Sequence, residues 1–327
     1  MSADAAGHVH ALGIDVGGTK IASLLVDRSG SVVARDVRPT PADDQTATLD
    51  AMEASARAVI DPLTAAVGIS AAGLVERGTG ILRFAPNLAW RDAPLVERIG
   101  GALGLPAVAD NDANAAAWGE LKAGQGRGHR DVLFVGVGTG IGGGIIADGR
   151  LFRGAHGFAA EIGHIIVEPD GPLCGCGNRG CWEQVASGKA IARDGRAAVT
   201  RHPHSMLVEL SDGDPGKITG TMVAEAAAQG DTVSRGILVG VGHRLGEGIA
   251  GLVNILDPEL VVVGGGVARA GDLILAPART AFIRAVEAPS SRPDVPIVPA
   301  SLGSDAGAVG GALMAFDLLD ERDGSEP

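Results

Sequence analysis

Apolar and polar positions change period several times along the chain, and each change marks an element. Residues 12–16 form a short apolar run with β-branched members, which predicts a buried strand. The turn Gly17-Gly18-Thr19-Lys20 follows, and residues 21–26 return as a second apolar run. Asp27-Arg28-Ser29-Gly30 carries turn chemistry and leads to a third strand over residues 31–37. Together the three predict an antiparallel meander. Apolar spacing over residues 45–60 is helical and stops at Asp61-Pro62. Further strands are predicted at 67–70 and 105–109. The second runs into Asp110-Asn111-Asp112, ahead of an Ala-rich helix over 113–121.

The pattern then restarts. Residues 131–137 are an apolar strand, Gly138-Thr139-Gly140 is a turn, and residues 141–146 return. Ala147-Asp148-Gly149-Arg150 turns again and Leu151-Phe152 opens the next run. The same order of strands and turns thus occurs twice, about 120 residues apart, which predicts an internal duplication. Two α/β halves facing a cleft would carry the two Gly turns on opposite walls. A long helix over 236–254, a buried strand over 260–263 ending in Gly264-Gly265-Gly266, and a Gly/Ala-rich helix over 301–319 complete the series. Residues 1–10 read as a loose tail, and the charged residues 320–327 read as a disordered one.

Composition narrows the class. The 327 residues suffice for two medium domains, and 46% of them are hydrophobic, enough for a sizeable core. Aromatics are only 3% and Tyr is absent, so Ala, Val, Leu and Ile must build that core. The 51 Gly cluster at discrete points rather than repeating, which implies backbone turns with a task. A net charge of −12 argues against nucleic acid as a partner. No basic segment followed by an apolar run opens the chain, and no uninterrupted apolar window reaches membrane-spanning length. A cytoplasmic protein with no membrane partner is expected.

The Gly turns carry the first chemistry. Gly17-Gly18-Thr19 and Gly138-Thr139-Gly140 each join two strands, and glycine lets a ligand approach the backbone without meeting a β-carbon. Successive N–H groups in such turns form an anion-binding concavity, to which Thr adds a hydroxyl. Asp15, just before the first turn, suits Mg²⁺ held through water. Neither turn matches the Walker A pattern, since a strand follows each one. Nucleotide binding is therefore expected, with Mg²⁺ near Asp15, the phosphates at Gly17, Gly18, Thr19 and Lys20 and at Gly138, Thr139 and Gly140, and the adenine side near Gly264, Gly265 and Gly266.

His164, Cys174, Cys176 and Cys181 form an H-x9-C-x-C-x4-C pattern. In a reducing compartment an odd, tight cysteine cluster favours metal over disulfides. One imidazole and three thiolates make a tetrahedral zinc set, and four protein ligands leave no open position for a reactive water. The zinc is expected to be structural.

Asp110-Asn111-Asp112 lies where a strand gives way to a helix. Phosphoryl transfer needs a carboxylate to orient and deprotonate the attacking hydroxyl, and Asp112 is the candidate. One of these acids could instead cap the helix, as could Asn114. Glu161-Ile162-Gly163-His164 leads into the metal cluster. Glu161 can accept from two sugar hydroxyls, while His164 can bind zinc through one ring nitrogen and face the sugar with the other.

The run Gly13-Ile14-Asp15-Val16-Gly17-Gly18-Thr19-Lys20 resembles the opening phosphate motif of the ROK family (repressors, open reading frames and kinases), within the actin-like ATPase superfamily. Residues 135–146 resemble its second phosphate segment, and the H-x9-C-x-C-x4-C pattern is similar to its zinc motif. Leu302-Gly303-Ser304-Asp305-Ala306-Gly307-Ala308-Val309-Gly310 continues the match, which spans nearly the whole chain.

The resemblance implies an α/β, duplicated actin-like (ribonuclease H-like) fold, with two lobes around a central cleft. The small lobe would cover residues 1–112, completed by a helix at 305–319, and the large lobe 113–304, with its zinc loop at 164–181. The activity implied is transfer of the γ-phosphate of ATP, with Mg²⁺, to the C6 hydroxyl of a hexose. Glucose is the first expectation. N-acetylmannosamine, N-acetylglucosamine and fructose are alternative acceptors, and polyphosphate is an alternative donor. Asp112 takes the role of general base. Asn111, Asp112, Glu161 and His164 would hold the sugar. Glu183 is similar to another hydroxyl-binding Glu of the family, and Asn87, in Pro86-Asn87-Leu88-Ala89-Trp90, resembles the contact that closes over the sugar. A homo-oligomer, dimer or tetramer, is implied.

Two departures stand out. Many relatives have Gly immediately before the Glu of the E-x-G-H motif, where this chain has Ala160. The residues before Gly13 are too few for the helix-turn-helix domain of the repressor branch. A non-catalytic, sugar-responsive regulator is the competing class, and the retention of Asp112 argues against it.

Overall fold

A computed structural model describes residues 9–85 and 90–324. The chain opens with the hairpin-linked strands β1 (His10–Val16), β2 (Lys20–Val26) and β3 (Val32–Pro39). Next come α1 (Gln45–Arg57), β4 (Thr64–Ala71), the short strands β5 (Leu74–Val75), β6 (Ile81–Phe84) and β7 (Arg91–Pro94), then α2 (Leu95–Leu103), β8 (Ala107–Asn111) and α3 (Asp112–Ala123). The second series begins with β9 (Val132–Val137), β10 (Ile141–Ala147) and β11 (Arg150–Leu151). It continues through α4 (Glu183–Ala186), α5 (Gly188–Val199), α6 (Met206–Leu210), α7 (Gly220–Ala228) and α8 (Thr232–Leu256). The chain ends with β12 (Leu260–Gly264), α9 (Asp272–Ala285), β13 (Ile297–Pro299) and α10 (Ala306–Arg322). Among the described residues no helix is long and apolar enough to cross a membrane.

The duplication is explicit in the sheets. One runs β3-β2-β1-β4-β8 and the other β11-β10-β9-β12-β13. Each is a three-strand meander followed, at the side of its first strand, by two strands reached through crossovers. In the first sheet β1 and β4 pair in parallel, as do β4 and β8, and in the second so do β12 and β13. This is the repeat that the actin-like ATPase fold requires.

Side chains alternate across β1 and β4, and the two faces are filled differently. Leu12, Ile14, Val67 and Ile69 join Leu49 and Met52 of α1 and Ile99 of α2 in one buried cluster. Gly13 and Gly68, on the other face, let the backbone of α10 lie directly on the sheet. A β-carbon at Gly13 would collide with the Ala308 carbonyl, and one at Gly68 with the Gly311 carbonyl. A methyl group there would have to displace the helix, at a cost on the order of 3 kcal/mol. Backbone contact of this kind explains how a core so poor in aromatics stays close-packed.

Contacts divide the chain into two compact units, one of residues 1–134, 144–160 and 301–327, the other of residues 135–143 and 161–300. Helix α10 belongs with the N-terminal sheet. So does α3, which the sequence reading assigned to the large lobe. A β-carbon at Gly310 of α10 would strike the Ala115 carbonyl of α3, so the two helices touch backbone to backbone. Buried Glu120 of α3 also accepts from the N–H groups of Ser301 (2.8 Å) and Leu302 (2.7 Å), tying the approach to α10 in place.

The C-terminal expectation needs correction. Residues 320–322 are the last turn of α10 rather than a disordered tail, and Asp320 accepts from Arg28 at 2.9 and 3.0 Å.

Candidate active site

In the first unit the site is built at the carboxyl ends of three parallel strands, where ligands gather in open α/β sheets. The register sets Asp15 opposite Ser70, and Ser70 opposite Asp110. Ser70 Oγ donates to Asp15 Oδ1 at 2.7 Å. Burial pushes the Asp15 carboxyl up to about 6, and the charges of Asp112 and Asp305 push the same way. The Ser70 hydrogen bond and the nearby Lys20 cation oppose them. A carboxylate held this way, with Lys20 close by, suits Mg²⁺ bound together with an anion.

Hydrogen bonds divide the Asp110-Asn111-Asp112 cluster into separate tasks. Asp110 is buried and accepts from Arg153 Nε (2.5 Å), Asn114 Nδ2 (2.9 Å) and the Asn111 N–H (2.8 Å). Asn111 caps α3: its Oδ1 accepts from the N–H groups of Ala113 (2.8 Å) and Asn114 (3.2 Å). Its Nδ2 donates to the Gly73 carbonyl at 3.0 Å. The cap therefore falls to Asn111, not to Asp110, Asp112 or Asn114. Asp112 opens the helix with its Oδ1 accepting from the adjacent Ala113 N–H (2.9 Å); burial raises its carboxyl above the usual aspartate range, against the opposing pull of the Ala113 N–H, its own N–H and the Asn111 side chain. Asn87 lies outside the described residues.

The second unit carries the other predicted groups. His164, Cys174, Cys176 and Cys181 place one ligand atom each so that all lie within 4.8 Å of one another. Cys176 Sγ and Cys181 Sγ are 3.6 Å apart, as are Cys174 Sγ and His164 Nδ1. Tetrahedral zinc bonds imply edges of about 3.8 Å between sulfurs and about 3.6 Å between sulfur and nitrogen. The donor set and its size fit zinc. Burial pushes the Cys174 thiol up to about 12, so a metal must displace its proton to bind.

The two ring nitrogens of His164 face different neighbours. Nδ1 faces the cysteines, while Nε2 lies 4.0 Å from Glu161 Oε2. Glu183 links the metal cluster to the second Gly turn. Its Oε1 accepts from the Cys174 thiol at 3.1 Å and from Gln184 Nε2 at 3.0 Å, and its Oε2 packs where a β-carbon of Gly140 would sit. Gly138, by contrast, has open space in front of it. Beside this turn, Gly265 stands at φ +85° against the backbone of Val137. The turn and the Gly264-Gly265-Gly266 strand end are therefore neighbours.

A model of the ROK family matches residues 11–317. The chain belongs to the ROK family. This ROK protein is 44% identical to a glucokinase from Streptomyces coelicolor over 307 residues, covering 93% of this chain and 96% of the relative. It is 35% identical to an N-acetylmannosamine kinase from Escherichia coli O157:H7 over 309 residues, covering 93% of this chain and 97% of that one. A ROK glucokinase from Streptomyces griseus, solved with glucose and AMPPNP, superposes with a TM-score of 0.86 at 43% identity, covering 94% of this chain and 99% of its own.

The family departure at Ala160 now has a backbone meaning. Ala160 has φ +67°, in the left-handed region where glycine sits without strain. Other participants escaped the sequence reading. Ser70 acts on Asp15 through strand register, which leaves no local motif, and Asp305, which lies in the 302–310 match without a role of its own there, acts on it from the start of α10. Arg153, the partner of Asp110, is 43 residues away in sequence.

Proposed function

We propose that this ROK protein is an ATP-dependent glucokinase, transferring the γ-phosphate of ATP to the C6 hydroxyl of glucose. The observation that carries the reading at the site is the division of labour at α3. Asn111 supplies the cap, which leaves the raised Asp112 carboxylate for chemistry. Similarity to kinases along nearly the full chain supports the same conclusion.

In this reading Asp112 accepts the proton of the attacking hydroxyl as the phosphoryl group is transferred in line. Asn87, Asn111, Glu161, His164 and Glu183 hold the hexose. The turns at Gly17-Gly18-Thr19-Lys20 and Gly138-Thr139-Gly140 hold the phosphates, and the nucleoside side of ATP lies toward Gly264-Gly265-Gly266. Asp15 would hold Mg²⁺, which neutralises phosphate charge. His164, Cys174, Cys176 and Cys181 would hold a structural zinc, which fixes the loop and the His164 ring. The family resemblance supports a cytoplasmic homo-oligomer, dimer or tetramer.

Glucose is favoured over N-acetylmannosamine because identity to the Streptomyces glucokinase, 44%, exceeds that to the N-acetylmannosamine kinase, 35%. Release of ADP or consumption of polyphosphate, measured across glucose, N-acetylmannosamine, N-acetylglucosamine and fructose, tests the assignment. Glucose with ATP should give the highest kcat/KM. A higher value for another sugar moves the assignment to that sugar, and no turnover on any of them removes the kinase reading.

A further inference from the structure

Both phosphate turns are held from behind by donors that no phosphate motif contains. In the first turn the Gly17 carbonyl accepts from Thr40 Oγ1 at 2.7 Å, and the Thr19 carbonyl accepts from the Thr40 N–H at 3.1 Å. In the second, the Gly138 carbonyl accepts from the Gly188 N–H at 2.8 Å, and the Thr139 carbonyl from the Lys189 N–H at 3.4 Å. Thr40 follows β3, while Gly188 and Lys189 are the first two residues of α5. Elements that share no sequence motif thus grip the two turns in the same way, two carbonyls each.

The consequence follows from peptide geometry. Across a planar trans peptide the carbonyl of one residue and the N–H of the next point in opposite directions. Holding the Gly17 and Thr19 carbonyls turns the N–H groups of Gly18 and Lys20 away from the donors on Thr40. Holding the Gly138 and Thr139 carbonyls turns those of Thr139 and Gly140 away from α5. In the second turn these N–H groups are successive, as an anion-binding concavity needs, and in the first they flank Thr19.

The α5 grip is also rigid. Ser187 makes no side-chain capping bond, so the turn carbonyls occupy the first N–H groups of α5. A β-carbon on Gly188 would lie 2.7 Å from the Gly138 carbonyl oxygen, and one on Gly220 would lie 2.9 Å from the Gly188 carbonyl oxygen. Gly188 is packed on both sides and cannot yield without moving the turn.

We propose that Thr40 and the start of α5, Gly188 above all, are positioning residues that orient the backbone donors of the two phosphate turns toward the nucleotide. This rests on the kinase reading. The test compares Thr40→Val, Thr40→Ser and Gly188→Ala with the unaltered protein. KM is measured separately for ATP and glucose, Mg·AMPPNP affinity by calorimetry, and Tm in parallel.

Thr40→Val should weaken ATP and AMPPNP about tenfold, the usual effect of losing one hydrogen bond that orders a binding group. The glucose KM should stay within about twofold, by the same criterion. Thr40→Ser, which keeps the donor hydroxyl, should recover most of the lost nucleotide affinity. Gly188→Ala should act as Thr40→Val does. Unchanged nucleotide affinity in Thr40→Val overturns the proposal, as does a Ser variant impaired as much as the Val variant. So does a joint rise of both KM values that tracks a fall in Tm. If the variants do not fold, amide resonances of the unaltered protein decide: Mg·AMPPNP should shift Thr139 and Gly140 strongly, and unmoved resonances contradict the proposal. Failure of the kinase reading stays separate, because it appears as absent turnover in the unaltered protein.

Discussion

Three polar residues stand at the start of α3, and each satisfies a different demand. Asp110 is consumed by Arg153 and Asn114, Asn111 by the helix cap and Gly73, and Asp112 keeps its carboxylate. Burial raises Asp112 and also Asp15, the latter to about 6, and the signs of the effects can be worked out. A base must be ionised, so kcat falls as pH drops through the raised Asp112 value, above the ordinary aspartate range. Asp15 must be ionised to hold Mg²⁺, so more Mg²⁺ is needed as pH falls through about 6. Without metal the stability effect of Asp15 has the opposite sense. Its contribution is fully present below the ordinary value of 3.8 and is lost as pH rises through about 6. A pH series of kcat at several Mg²⁺ concentrations should therefore show an acid limb that moves to lower pH as Mg²⁺ increases. A profile flat to pH 5 and indifferent to Mg²⁺ would contradict this assignment. At Ala160 the chain keeps a left-handed backbone without glycine, a strain of about 1 kcal/mol immediately before Glu161.

At the scale of elements, the cysteine loop has no helix or extended strand of its own among the described residues. Between Ile166 and Cys181 it is held by two isolated β-bridges, Ile166 with Cys181 and Leu173 with Arg179, and by backbone bonds such as Val167 N–H to the Gly180 carbonyl (2.9 Å) and Cys174 N–H to the Asn178 carbonyl (2.8 Å). A bound metal would add a cross-link that such turns do not supply. Cys176→Ala should abolish zinc by elemental analysis and lower Tm by about 5 °C or more. Native protein purified without zinc would refute the site. This cluster was fully legible in the sequence, because all four ligands fall within one short loop. The Gly turns were legible for the same reason. What stands behind them was not: Thr40 and Gly188 are set against the turns by the return of β3 and by the placement of α5. The end of α10 was misread because a charged composition suggested a tail, while Arg28, far away in sequence, supplies the ion pair that holds the last turn.

For the whole molecule, the duplicated order of strands and turns was visible in the hydrophobic pattern, and the sheets repeat it strand for strand. The division into units was less legible. Glycine-mediated contact of α3 with α10 is backbone packing, to which no side-chain pattern points, and it draws α3 into the first unit. The kinase reading unites these scales around one proton transfer. Substituting Asp112 by Asn keeps the shape of the residue and removes the base. The account predicts that Asp112→Asn lowers kcat for glucose phosphorylation at least about 10²-fold while the glucose Kd stays nearly unchanged. Near-normal turnover in that variant would contradict it.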